Sequence, residues 1–112
     1  MSKTRVVVTG LGVCAPNGVG INAFTEALMQ GKSGIRFFSE LEKLKFSCQI
    51  GGMPLISETI KSNYFTPLQL RNFNSAGILY GVVAGVEAWQ DAGLPIDEET
   101  CDFDSGTIFG VG

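Results

Sequence analysis

The chain of 112 residues contains no histidine. That absence removes every mechanism in which imidazole acts as general base, general acid or metal ligand. Charge is sparse too: 17% of residues are Asp, Glu, Lys or Arg, and the formal balance is −3. Phosphate backbones are gripped by clustered Lys and Arg, so an acidic balance argues against nucleic-acid binding. The cysteines are few and far apart. Cys14, Cys48 and Cys101 make no Cys-x-x-Cys pair, which suggests neither a disulfide framework nor a zinc site. Free thiols in a reducing cytosol are the simple reading.

Long apolar runs are missing as well. Only Val6-Val7-Val8 precede Thr9-Gly10, short of the roughly 7–15 apolar residues of a signal peptide. The uncharged stretch at residues 72–86 is interrupted by Asn72, Asn74 and Ser75. It falls below the roughly 20 residues that cross a bilayer. The expectation is a soluble, cytoplasmic protein with no nucleic-acid or membrane partner.

What is present is apolar residue and glycine: 45% hydrophobic residues and 15 Gly, too apolar for intrinsic disorder. If compact, a chain of this mass shows about 6,000 Å² of surface against about 17,000 Å² unfolded, enough for one modest core. The β-branched run in residues 6–13 reads as a strand buried on both faces, as in a parallel sheet. Pro16, Asn17, Gly18 and Gly20 mark a loop. Asn22 is placed to cap a helix over residues 23–30, with Phe24, Ala27 and Leu28 inward and Gly31 at the left-handed C′ position. No period is strong over residues 32–63, where irregular structure with a short strand or turn is expected.

Thr66-Pro67-Leu68-Gln69 carries the clearest local signal. Thr at the cap, Pro at the first helical position and Gln at the third form a capping box. Helix follows to residue 92, interrupted near Asn72-Phe73-Asn74-Ser75, and Gly93 with Pro95 ends it. Over residues 75–92 one ridge reads Gly77-Gly81-Gly85-Trp89, and the first turns are apolar all round. Such a helix is enclosed, and its glycine ridge suggests close approach by a neighbouring backbone. After the acidic loop around Asp97-Glu98-Glu99, residues 107–111 read as a second buried strand. Strand, helix, loop, helix and strand make an α/β pattern with two parallel strands. The open edges of so small a sheet suggest the opening section of a larger fold.

Gly10-Leu11-Gly12-Val13-Cys14-Ala15 matches the G-x-G-x-x-G/A dinucleotide fingerprint after a strand. That fingerprint needs a helix to open at the glycines and meet the pyrophosphate. Here Pro16, Asn17, Gly18 and Gly20 intervene, so glycines in a sharp strand-to-loop turn are the simpler explanation. A cysteine nucleophile needs a group that lowers its pKa, and Cys14 has no histidine to supply one. Glu98-Glu99 reads as a surface pair. No catalytic constellation emerges from the residues themselves.

Four blocks, in order and at fitting spacing, resemble the elongating β-ketoacyl-acyl-carrier-protein synthases. Residues 5–13 with Ala15-Pro16-Asn17-Gly18 resemble the family's opening. Phe24-Thr25-Glu26-Ala27-Leu28 with Gly31-Lys32-Ser33-Gly34-Ile35 fits its next block, residues 80–94 fit its long N-terminal helix, and residues 106–112 the strand after it. The resemblance implies a thiolase-like α/β fold, with parallel strands and packed helices that form five layers in the complete protein. Residues 1–112 then correspond to an incomplete N-terminal section of the synthase domain.

It further implies decarboxylative condensation of an acyl thioester with malonyl-acyl carrier protein, a homodimer, acyl carrier protein as partner, and no cofactor or metal. The family's catalytic Cys and two His lie beyond Gly112. No catalytic role passes to Cys14, Cys48 or Cys101, and the chain alone is expected to be inactive. Before the long helix many members carry consecutive basic residues where the acidic carrier docks. Here Arg71 is the single base in Leu70-Arg71-Asn72-Phe73-Asn74-Ser75, which suggests a divergent member with Arg71 as its docking candidate. A non-catalytic partner subunit of the same fold is the alternative, and a dinucleotide-binding domain a more distant one.

Overall fold

Local capping sets the starts of two helices and the ends of two others. The computed structural model describes residues 2–73, 75–96, 99 and 102–110. In chain order its elements are β1 (Cys14–Ala15), β2 (Gly18–Val19), α1 (Ile21–Met29), β3 (Ile35–Phe37), α2 (Ser39–Lys43), β4 (Ile50–Gly52), α3 (Glu58–Tyr64), α4 (Pro67–Asn72) and α5 (Ala76–Asp91).

The capping box at α4 forms as its sequence requires. The Gln69 amide donates to the Thr66 hydroxyl at 3.3 Å, and the Thr66 amide donates to Gln69 Oε1 at 2.9 Å. Phe65 and Phe73 bracket this helix and meet edge to face, with ring centroids 5.3 Å apart. Phe73 ends α4 in an extended conformation, so the expected interruption before α5 is real; Asn74 lies outside the described residues.

Gly31 and Gly93 take the left-handed conformation, with φ of 65° and 70°. At the end of α1 the Gly31 amide donates to the Leu28 carbonyl and the Lys32 amide to the Ala27 carbonyl. At the end of α5 the Gly93 and Leu94 amides repeat the pattern on Gln90 and Trp89. Both are Schellman motifs, which satisfy carbonyls the helix leaves open.

The start of α1 differs from expectation. Gly20, with φ of 92°, takes the cap position, and Asn22 lies inside the helix. The reason is tertiary: the Ile21 amide donates to the Glu87 carboxylate of α5 at 2.7 Å, so no local side chain is needed. Ala27 is buried as predicted, but Leu28 is exposed.

The parallel strand pair does not form among the described residues. Residues 2–13 and 105–110 belong to no sheet, and Val111 lies outside the described residues. Both observed sheets are antiparallel and local: β1 pairs β2 across Pro16-Asn17, and β3 pairs β4 with Ile35 opposite Gly52 and Phe37 opposite Ile50. The β1–β2 hairpin closes across two residues and the β3–β4 pair across residues 38–49, which include α2, whereas parallel strands need cover on both faces. Val6, Val7 and Val8 lack such cover and are exposed.

The interior gathers around α5, which packs against β1 and α3. Val83 is fully buried in the middle of this helix, and Ala27 and Phe65 are the other buried apolar residues described. Close backbone approach does occur on α5, but along a different ridge from the predicted one. A Cβ on Gly10 would lie 2.2 Å from the Ala88 carbonyl oxygen, and one on Gly12 would lie 1.8 Å from that of Ala84. Gly81 and Gly85 instead face the ring of Phe109, 3.3–3.4 Å from where their Cβ atoms would sit. The ridge made of alanines admits the backbone; the ridge made of glycines admits an aromatic ring.

Candidate functional site

The best-organised polar centre lies where residues 10–21 cross α5. Because Gly10 and Gly12 carry no side chain, the chain between them comes close enough for its amides to reach carboxylates on the helix. The Leu11 amide donates to Asp91 Oδ2 at 2.9 Å, and the Val13 amide donates to Glu87 Oε2 at 2.8 Å. Glu87 Oε1 takes the Ile21 amide, and the Gly20 amide donates to the Val13 carbonyl at 2.8 Å. One carboxylate thus ties together the strand entry, the hairpin exit and the start of α1. A carboxylate at a helix N-terminus is favoured by the helix dipole as well as by the bond itself.

This geometry removes the dinucleotide reading. The amides that would face a pyrophosphate already donate to Glu87 and Asp91, and α1 opens at Ile21 with its first amide held by Glu87. The glycines serve helix packing, and the neighbouring carboxylates would repel a phosphate.

Cys14 sits at the edge of the same centre, half-buried on β1. Burial pushes its thiol above the ordinary 9.0, and the charge of Glu87 pushes it further the same way. Tyr64 of α3 is raised above its ordinary 10.0 by the same two causes. A reactive cysteine needs the opposite environment, with positive charge or a helix N-terminus beside it. Cys48 is exposed, with its sulfur 3.6 Å from the Ile50 carbonyl oxygen; Cys101 lies outside the described residues. Among the described residues no three His, Cys, Asp or Glu side chains gather as a metal site. Glu87 and Asp91 were not singled out from the sequence. Their signal was visible all the same: they are the two charged residues of α5, spaced four apart so that they share one face.

Arg71 is exposed in the last turn of α4 and makes no ion pair among the described residues. It stands apart from the Glu87 centre in sequence, on a different helix. An apolar groove of about 400 Å³ runs along the other side of α5, lined by Gly81, Gly85, Trp89, Ile96 and Phe109 among others. The Trp89 indole N–H donates to the Pro95 carbonyl at 2.9 Å and fixes one wall. No helix among the described residues is long and apolar enough to cross a membrane.

The family model for the β-ketoacyl synthase N-terminal domain matches residues 3–112. The chain belongs to the β-ketoacyl synthase family. The synthase N-terminal domain belongs to the thiolase-like fold, and this chain shows it as a mixed α/β arrangement of helices with two short antiparallel strand pairs. The 3-oxoacyl-[acyl-carrier-protein] synthase 2 of Vibrio harveyi is 36% identical over 99 residues, covering 88% of this chain and 23% of the relative. The tetracenomycin polyketide synthase ketoacyl synthase beta subunit of Streptomyces glaucescens is 32% identical, covering 84% of the chain and 22% of the relative. The alpha subunit from the same organism is 31% identical, covering 97% and 26%. The chain therefore spans about a quarter of the length of the curated relatives it matches.

Proposed function

We propose that the chain is an N-terminal section of a condensing enzyme that joins an acyl thioester to malonyl-acyl carrier protein in fatty-acid or polyketide-type biosynthesis. In that reaction an enzyme thiolate takes the acyl group from its carrier. Malonyl carrier then loses CO₂, and the resulting enolate carbon attacks the acyl carbonyl, releasing the thiolate and leaving a β-ketoacyl carrier. The observation that carries this reading is the family match across residues 3–112, joined by relatives named as a 3-oxoacyl-[acyl-carrier-protein] synthase and as a polyketide synthase ketoacyl synthase subunit.

In this reading the present residues supply framework. The chain has no histidine, and burial with the Glu87 charge pushes the Cys14 thiol up, away from a reactive thiolate, so the nucleophile and the groups that stabilise the enolate come from other sequence. Acyl carrier protein is the partner, Arg71 its electrostatic contact on this chain, and the active assembly a cytoplasmic homodimer. A second reading rests on the beta-subunit relative and on the single base before α5: a non-catalytic mate of a condensing subunit.

The test is a condensation assay with acyl- and malonyl-carrier protein, read by mass spectrometry of the carrier-bound product. The 112-residue chain and the complete product of its locus are compared. A β-ketoacyl carrier formed by the complete product and not by the chain alone is the expected result. A complete product that binds carrier without condensing selects the second reading, and one that does neither overturns both.

A further inference from the structure

We draw no further inference here: the strongest candidate, the apolar groove along the Gly81–Gly85 side of α5 beneath Phe109, carries nothing because nothing in the structure shows what covers it.

Discussion

At the scale of single residues, Glu87 matters through the two amides it accepts, one from each end of the hairpin formed by β1 and β2. Replacing it with Ala leaves the Val13 and Ile21 donors without a partner. An unpaired, partly buried donor costs about 1–3 kcal/mol. Amide hydrogen exchange at Val13 and Ile21 is therefore expected to accelerate in Glu87→Ala, and less so in Glu87→Gln, which keeps one acceptor oxygen. Equal exchange in all three forms would show that the carboxylate does not hold the loop. Cys14 is raised first by burial and then further by the same charge. Its folded thiol keeps a proton that the unfolded chain gives up near 9.0, and Tyr64 behaves likewise near 10.0. Above these values the unfolded state binds fewer protons, so this contribution to stability is full below pH 9 and is lost as pH rises further. Alkylation at pH 8.5 is expected to be slower at Cys14 than at exposed Cys48, and faster at Cys14 in Glu87→Gln than in the parent. Equal rates at the two cysteines of the parent would contradict the raised pKa.

At the scale of elements, α5 takes neighbours of different kinds on two ridges, and the sequence disclosed only part of this. The start of α4 and the ends of α1 and α5 were legible because capping is local: the Thr66 box and the two C′ glycines use partners close by in sequence. The β3–β4 pair and the short helices α2 and α3 were not, since none is long enough to show a period. The segment at residues 6–13 was misread as a paired strand because a β-branched run reports burial without naming its partner. Which ridge of α5 receives a backbone was equally hidden, for glycine spacing on the helix suggested the wrong one. The small residues that matter there are Gly10 and Gly12 on the segment and Ala84 and Ala88 on the helix. Gly12→Ala drives a methyl against the Ala84 carbonyl and is expected to cost about 3 kcal/mol or more, the upper range for overpacking. Gly81→Ala meets only the edge of the Phe109 ring and replaces a poor helix former, so a gain approaching 1 kcal/mol is expected. Thermal transitions followed by far-ultraviolet circular dichroism, with amide exchange across residues 10–21, separate the two. Loss of protection in Gly81→Ala but not in Gly12→Ala would reverse the assignment of the ridges.

At the scale of the whole molecule, the chain buries far less than its composition allows. The radius of gyration is 17.4 Å, against about 13 Å for a compact chain of this length. The accessible surface is 9141 Å², about 3,000 Å² beyond that of a compact protein of the same mass. The excess is apolar in character: Val6, Val8, Phe103 and Ile108 are all more than three-quarters exposed. Backbone that belongs to no sheet in residues 2–10, beside such surface, is a template for association with other chains. The helices carry their own caps and hydrogen bonds and survive this deficit, whereas fixed tertiary packing needs apolar cover that Val83, Ala27 and Phe65 alone do not supply. The 112-residue chain, expressed by itself, is therefore expected to show helical far-ultraviolet dichroism with weak near-ultraviolet signal, strong binding of an apolar dye and self-association at micromolar concentration. Light scattering, dichroism and dye titration at neutral pH measure all of these in one buffer. A monomer of about 13 Å radius of gyration, with a sharp cooperative melt and no dye binding, would mean that residues 6–13 find cover within the chain itself. The reading of the chain as a section of a larger synthase domain would then lose its physical support, although its family membership would stand.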